Sequence, residues 1–572
     1  MTRARLGALL ALLLSPMIVS SLRASASEDP TLFLPRVFVI QVPEASFEEL
    51  LSISEVHALA ARGGAGLMRV EGAPWALQPP DCEGDRVPGE GNVAFRWICP
   101  GGRDLASIGP KIEEIVSGTG ADHVLVVVTS AIPSREMREA KDELHPIVVA
   151  NGSPSKLFHD HAEGGSLTSD STHRSGVVTD LDVIPTIARF LGTDPPVDST
   201  GSPIEIIPGS PPLELHERYL AQRRMYVPIG TAGGIYLAIV GLGAIAALAL
   251  GNHVPRNVRR IFGWGCLSVA ALATALLAAG HLPDLTYATV VPFVALVTVF
   301  GALAFAPLEH RDVLLIPAGL GIAVLAYFAV EAILAWTAAL TPFVGGSELD
   351  GGRFYGLPNA FIGLLIGASL WIAQRLRSLA GFALLVAVAL FAGLPYLGAN
   401  LGGGVSLFAA AGLWLAIRER ERLGLWRGIG VFVGVTGLGA AVILAAHAVS
   451  PFETHVTRFE EQAGGLAGVF EKFGDRLQVG FDLIARNPFA LIPVLGLPIA
   501  IAAVLRPPTP LRPSLQRSPA WRDAILVTLL AGVVAYLVND SGPAAAGFAF
   551  GLGLGGLLGV SLLSEAGKIG ES

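Results

Sequence analysis

Polar residues recur in three short glycine-rich segments of an otherwise apolar carboxy-terminal half, at residues 346–359, 398–404 and 539–542. Glycine lets a backbone approach a ligand or a neighbouring helix, while Asn, Asp and Arg supply hydrogen-bonding groups. We therefore expect a polar pocket at one mouth of a helix bundle, although helix caps and tight turns favour the same residue types. The candidate residues are Glu348, Asp350, Arg353, Asn359, Asn400, Asn539 and Asp540.

Glu331 lies toward one end of a predicted apolar helix. An ionised acid at the centre of a membrane helix costs roughly 2.5–3.5 kcal/mol on insertion scales. Glu331 is therefore expected to face the bundle interior or the outer interface, where Arg353 is a candidate partner. Both a functional role and a structural, interfacial role fit this position.

Histidines and acids in the amino-terminal half form a weaker candidate site. His159, His161, Asp170 and His173 could converge on one metal ion, because His-x-His and Asp-x-x-His spacings can bring ligands together. They lie in a stretch rich in Gly and Ser without a strong ligand spacing, which favours solvated loop residues. We predict no metal site, with these four residues as the candidates if one exists.

Cysteine usage points to an oxidising compartment for part of the chain. Cys82 and Cys99 fall in a segment that we expect outside the cytoplasm, where a disulfide between them could persist. Such a bond would contribute roughly 3 kcal/mol in the chain-entropy model. The third cysteine, Cys266, falls inside an apolar helix and is expected to be a packing residue.

The apolar half determines how the candidate residues must be positioned. The chain is 52% hydrophobic and 15% charged, with a mean hydropathy of +0.59, outside the balance usual for soluble domains. Residues 226–563 contain about eleven apolar segments, each close to the roughly 20 residues that cross a bilayer. This pattern predicts an all-α polytopic bundle in a lipid bilayer. Nucleic acid is not expected as a partner, because the chain has no basic patch with interleaved aromatics.

The amino terminus and the arginines predict how the bundle is oriented. Arg3 and Arg5 precede an apolar run that ends before Ala24-Ser25-Ala26, so residues 1–26 resemble a signal peptide and residues 27–225 should be extracytoplasmic. The predicted inner loops carry nearly all the arginines, whereas the short outer loops carry only Arg353, which places the tail, 564–572, in the cytoplasm.

The exported part has the pattern of an α/β domain. Continuous apolar runs at 36–42, 123–128 and 146–150 alternate with helical periodicity, as expected of a mainly parallel sheet covered on both faces. We expect this domain to span residues 27–193. Residues 194–225 are predicted to be a linker, because Pro, Gly and Ser are frequent from 194 to 212.

The segment 167–192, with Asp182-Val183-Ile184-Pro185-Thr186 at its predicted helix start, resembles the carboxy-terminal segment of alkaline-phosphatase-superfamily domains. The outer-loop sequences at 351–356 and 539–542 also resemble those of uncharacterised bacterial membrane proteins that carry such a domain. The resemblance implies a parallel-sheet α/β fold. In active members, Asp and His at strand ends hold two divalent metals, and a Thr or Ser at a helix start is the nucleophile.

This sequence departs from that pattern at the expected ligand positions. The first strand ends in Gln41-Val42-Pro43 and the later one in Thr129-Ser130-Ala131, without the expected acids and histidine. Ser46 lies near the nucleophile position, but Ser46-Phe47-Glu48-Glu49 is also a capping box.

Three functions follow from these patterns. The first is a non-catalytic phosphatase-like outer domain, without a cofactor, for binding or regulation in the cell envelope. Its partner would be an envelope glycolipid or another envelope protein. The second is an active extracytoplasmic phosphohydrolase or phosphotransferase acting on an envelope glycolipid with a divalent metal. The third is a transporter with Glu331 and the outer loops on its path.

Overall fold

The amino-terminal part folds around one mixed β-sheet, and the rest of the chain is helical. The structure is a computed structural model, and it describes residues 36–42, 44–70, 94–98, 105–118, 124–130, 137, 139, 142–151, 164–195, 201–209, 212–347, 349, 354–450, 491–539 and 542–568. The sheet has eight strands in the described part: β1 Arg36–Gln41, β2 Gly64–Arg69, β3 Ala94–Ile98, β4 Val124–Thr129, β5 Leu144–Asn151, β6 Gly165–Thr168, β7 Val177–Thr179 and β8 Glu205–Pro208.

The strand order is β3-β1-β4-β5-β2-β6-β8, with β7 pairing with β2. Strand β1 is parallel to β3 and β4, but β5 is antiparallel to both β4 and β2, and β8 is antiparallel to β6. The expectation of a parallel sheet is therefore corrected to a mixed one. The apolar run of β5 indicates burial on both faces, and this pattern carries no information about strand direction.

Both faces of the sheet are covered by apolar packing. The described helices of this domain are α1 Phe47–Leu51, α2 Ser54–Arg62, α3 Ile108–Gly118 and α4 Val183–Leu191. Phe38 and Ile40 of β1 pack with α1 to α3, whereas Val37 and Val39 pack on the opposite face with α4. The predicted capping box opens α1, where the Glu49 N–H donates to Ser46 Oγ at 3.2 Å and the Ser46 N–H donates to Glu49 Oε2 at 2.9 Å.

The segment predicted as a linker, 194–225, contributes regular structure in its described part. Strand β8 lies at the sheet edge, and helix α5 Leu213–Leu250 begins close behind it and continues for 38 residues into the bundle. The prolines that suggested a linker are compatible with a short edge strand, since such a strand does not need every N–H.

The described remainder of the chain is an apolar helical bundle, as predicted. Its further helices are α6 Arg256–Leu267, α7 Val269–Ala278, α8 Tyr287–Leu303, α9 Leu315–Ile333, α10 Ile362–Ala373, α11 Ser378–Gly393, α12 Leu401–Arg418, α13 Arg420–Ala448, α14 Leu491–Leu505, α15 Arg512–Arg517, α16 Pro519–Val538 and α17 Gly542–Lys568. Seven helices of the described residues are long and apolar enough to cross a membrane, or eight if the bent pair α6–α7 is one span. The chain is therefore built as a multi-pass membrane protein, and the count of about eleven spans stays a prediction.

Helix α10 is buried along nearly its whole length and lies at the centre of the bundle, beside α17 and α16. The tryptophans Trp371, Trp414 and Trp521 are fully buried there. Peripheral helices instead expose large apolar side chains, for example Phe300 of α8 at 65% and Trp426 of α13 at 82%. Contiguous apolar surface of this kind suits contact with lipid tails.

Candidate functional site

The described candidate residues lie at the end of the bundle that faces the sheet. Glu331, Asn359, Asn400 and Asn539 can be placed, and so can Asp170 and His173 of the sheet domain. The other predicted residues fall outside the described part of the chain, and their roles stay predictions: Glu348, Asp350, Arg353, Asp540, His159, His161, Cys82 and Cys99.

Asn400 and Asn359, which are far apart in the sequence, are in direct contact. Asn400 caps α12 by accepting a hydrogen bond from the Gly403 N–H at 2.7 Å. Its Nδ2 donates to Asn359 Oδ1 and to the Leu357 carbonyl, both at 2.8 Å. The buried amide of Asn400 therefore connects the 354–359 segment to the start of α12. This is a helix-capping role, the structural alternative to a ligand site.

Asn539 belongs to the same end of the bundle. Its Nδ2 donates to Ser406 Oγ at 3.1 Å and to the Ala535 carbonyl at 2.8 Å, so it joins the end of α16 to α12. A Cβ on Gly402 would lie 2.6 Å from Asn539 Oδ1, which shows how closely the two helices approach. Close packing explains why glycine and asparagine occur together here.

Glu331 is fully buried, and its carboxylate is surrounded by donors. Tyr327 Oη donates to Glu331 Oε1 at 3.0 Å, the Ala338 N–H donates to Oε2 at 3.3 Å, and His281 Nε2 shares a short hydrogen bond with Oε1. The described partner of Glu331 is thus a histidine from another loop, and the expected partner, Arg353, lies outside the described residues. Two features of the sequence could have indicated this cluster. Tyr327 and Glu331 are four residues apart in one helix, and His281 lies in a predicted outer loop.

On the sheet side, the carboxyl ends of β1, β4 and β2 meet the start of β5 at one edge. This edge presents Gln41, Thr129, Ser130, Arg69 and His145, all of them nearly or fully buried except Arg69, whose side chain is 16% exposed. Thr129 Oγ1 is engaged as a donor to the Pro146 carbonyl at 3.0 Å. Alkaline-phosphatase-like domains would carry their metals at these strand ends.

The described residues do not fit such a metal centre. Amide and hydroxyl groups stand at the ends of β1 and β4, and within the described residues no three His, Cys, Asp or Glu side chains are grouped so that they could hold a metal. Asp170 is exposed, and the His173 ring packs edge-on against the Tyr355 ring with centroids 4.8 Å apart.

Residues from the bundle cover this edge of the sheet. Leu349 and Phe354 are fully buried in the same apolar cluster as Val42 and Phe47 of the sheet domain, and Tyr219 of α5 completes it. Leu349 and Phe354 thus belong to a loop of the bundle that packs into the sheet domain. After Phe354 the chain returns to the bundle near the Asn400 cap, where the Leu357 N–H donates to the Gly398 carbonyl at 2.8 Å. Sequence reasoning singled out the polar members of this loop, but its described apolar members make the contact.

Arginines of the sheet domain fasten the same junction by hydrogen bonds. Arg69 Nη1 donates to the Leu349 carbonyl at 3.1 Å. Arg174 donates from Nε to the Phe354 carbonyl and from Nη1 to the Ala335 carbonyl, in two different loops of the bundle. We name the contacts of Arg69 and Arg174 with these three carbonyls the arginine clamp.

A buried ionisable group adjoins the clamp. His145 lies near Asp142 and His216, and burial lowers the pKa of His145, an effect that the Asp142 carboxylate partly opposes. His145 is therefore held toward its neutral form in the folded protein.

Comparison of this chain with protein-family models, curated proteins and solved structures finds no match. The chemistry of the junction is therefore inferred from its own side chains. The described groups are arginines, histidines, amides and a buried carboxylate, which suit binding by hydrogen bonds and ion pairs.

Proposed function

We propose that this chain is an integral membrane protein of the cell envelope whose outer sheet domain is a non-catalytic, phosphatase-like module for binding or regulation. The observation that carries the proposal is the burial of Leu349 and Phe354 at the carboxyl edge of the sheet. In an active domain of this type a substrate would need that edge, whereas here part of the bundle fills it.

The energetics support a docked module over a tethered one. Full burial of a Leu or Phe side chain contributes about 1.5–3 kcal/mol. The arginine clamp adds hydrogen bonds from charged donors, each worth about 1.5–3 kcal/mol net. Together these contacts favour one orientation of the sheet domain, so that a ligand bound at the junction would act on both parts.

The ligand class that we propose is an envelope glycolipid, whose lipid tails would lie against the bundle while its headgroup reaches the junction. The arginines and amides there suit phosphate and sugar hydroxyl groups. Another envelope protein is the alternative occupant. The arginine distribution supports an extracytoplasmic sheet domain and a cytoplasmic tail, because Arg375, Arg418 and Arg420 lie at the bundle end away from the sheet.

Native mass spectrometry of the full chain in lipid nanodiscs, supplied with an envelope lipid extract, tests the binding function. We expect the wild type to retain a glycolipid and the Arg174→Ala variant to lose it. Arg189→Ala is the matched control, because Arg189 belongs to the same domain but pairs with Glu205 in an exposed position. Equal retention by all three proteins would contradict the proposal.

An activity assay separates this proposal from the phosphohydrolase alternative. The assay measures the metal content of the purified full chain and its hydrolysis of a phosphodiester. Stoichiometric zinc or manganese together with metal-dependent hydrolysis would establish that the chain is an enzyme. A tag placed after residue 568 tests the orientation, and its accessibility from outside intact cells would overturn it.

A further inference from the structure

The end of α9 contains a carboxylate that solvent does not reach. Glu331 has a side-chain exposure of 0%, whereas that of its partner His281 is 33%. An uncompensated charge is costly in a dry interior, and removing one partner of a buried ion pair is strongly destabilising. The charge state of His281 therefore matters for how well Glu331 is accommodated.

Few other ionisable groups among the described residues can compensate Glu331. Helices α7 and α10, which pack against α9, carry no ionisable side chain, and the same holds for residues 338–340. Glu309 and His310 belong to the short segment 306–310, which contacts α9 and precedes its opposite end, while Tyr327 is a neutral donor on α9 itself. Near His281 are Asp284 on the same turn, Tyr287 at the start of α8 and Arg218 on α5.

Arg218 holds the backbone beside His281 in place. Its guanidinium donates to the carbonyls of Gly280, Leu282 and Pro283 at 2.6, 2.6 and 2.9 Å. Since these bonds occupy Arg218, the described group that contacts the Glu331 carboxylate and can carry a positive charge is His281. The Nδ1 atom of His281 makes no hydrogen bond with the described residues, and the ring is partly exposed.

We infer that His281 and Glu331 form a proton-binding site that opens on the side of the sheet domain. A proton passes from water to His281 Nδ1 while Nε2–H stays hydrogen-bonded to the Glu331 carboxylate. The product is an imidazolium–carboxylate pair without net charge. When the proton leaves, the donors to the buried carboxylate within the described part of the chain are all neutral. This inference does not depend on the binding function proposed above.

The site is connected to the arginine clamp through one turn. Glu331 accepts hydrogen bonds from the Ala338 N–H through its side chain and from the Trp336 N–H through its carbonyl, at 3.3 and 2.8 Å. Arg174 binds the Ala335 carbonyl of the same turn. Ala335 and Trp336 have φ angles of 53° and 60°, a left-handed conformation that costs energy for residues other than glycine. Hydrogen bonds to Glu331 and to Arg174 hold this strained turn, and we expect the turn to become more mobile when the bonds to Glu331 weaken.

The inference is tested by comparing amide hydrogen exchange of the full chain in lipid nanodiscs at two pH values. Roughly pH 5.5 and pH 8 are suitable, because they lie on either side of the range where imidazole changes charge. After correction for the intrinsic exchange rate, we expect segment 335–340 to exchange several-fold faster at the higher pH in the wild type. His281→Gln should remove this difference. His310→Gln, at the other end of the bundle, should keep it. A difference that is absent in the wild type, or retained in His281→Gln, would overturn the inference.

A second measurement follows the His281 ring directly, and its reading in the wild type does not depend on how well Glu331→Gln folds. In the ¹⁵N-labelled protein, the imidazole resonance that disappears in His281→Gln is assigned to His281. The chemical shift of this resonance should differ between roughly pH 5.5 and pH 8 in the wild type, and the difference should be smaller in Glu331→Gln, because the carboxylate that pairs with the ring is gone. No difference in the wild type, or an equal difference in both proteins, would overturn the inference.

Discussion

Asp142 of the sheet domain and His216 in the first turn of α5 form a hydrogen-bonded pair, with Oδ2 and Nε2 2.8 Å apart and both side chains almost fully buried. Asp142 Oδ1 also accepts a hydrogen bond from the Leu144 N–H at 3.1 Å, so one carboxylate joins β5 to the helix that enters the bundle. One buried carboxylate is thus bonded both to the start of β5 and to the start of α5, in addition to the apolar contact that Tyr219 makes with the sheet domain.

Replacement of Asp142 by Ala should destabilise the sheet domain by about 3 kcal/mol, because it leaves a buried imidazole and a buried N–H without their acceptor. The measurement is the denaturation midpoint of the domain, followed by limited proteolysis in detergent. Glu205→Ala is the control, since the Arg189–Glu205 pair is exposed and such pairs contribute about 0–1 kcal/mol. Equal losses in the two variants would contradict this account of the pair.

Acid should destabilise the sheet domain through His145. Because burial lowers the pKa of His145 below its ordinary value of 6.5, the unfolded chain binds this proton more readily than the folded one. The contribution of His145 is therefore complete above pH 6.5 and decreases as the pH falls below that value toward the folded pKa. Thermal unfolding from neutral to acidic pH measures the effect. His145→Gln should flatten the profile, and an unchanged profile would show that other groups dominate.

Phe354→Ala should detach the sheet domain from the bundle, because truncation of a fully buried Phe costs about 3–5 kcal/mol. Limited proteolysis of the full chain in lipid nanodiscs reports on docking. We expect Phe354→Ala to be cleaved faster than the wild type between the sheet domain and the bundle. Leu379→Ala, at a position that is 70% exposed on α11, should leave the cleavage rate unchanged. Equal rates in Phe354→Ala and the wild type would contradict the docked arrangement.

Gly402→Ala should destabilise the bundle by about 1–3 kcal/mol, the usual cost of overpacking. The added Cβ would lie 2.6 Å from Asn539 Oδ1 and 2.7 Å from the Val538 carbonyl. Gly430→Ala is the matched control in α13, because a Cβ there has no heavy atom within 4 Å. The control should be neutral or stabilise the helix by up to about 1 kcal/mol. Thermal unfolding of the two variants in the same detergent compares them, and equal melting temperatures would refute the predicted contact.

Local patterns in the sequence were enough to predict much of this fold. The apolar segments, the strand at 36–41 and the capping box at Ser46 each depend on residues within a few positions of one another. The direction of β5 was not predictable in this way, because an apolar run looks the same whether its neighbours are parallel or antiparallel.

Contacts between distant segments account for what the sequence did not reveal about the site. Glu331 was a candidate because a buried acid is unusual, but its partner, His281, is 50 residues away. The polar residues of the 346–359 loop were likewise predicted to form the site, whereas the contact with the sheet domain is made by Leu349 and Phe354. An apolar residue in a polar loop indicates burial without saying against which part of the chain.

Helix α5 begins beside Asp142 and ends at Leu250 on the far side of the bundle, as one element of 38 residues. At 1.5 Å per residue, this helix is a rod of about 57 Å. We expect a change in the tilt of its apolar portion, for instance in a thicker or thinner bilayer, to displace the end that contacts the sheet. The position of the sheet domain should then vary with bilayer thickness.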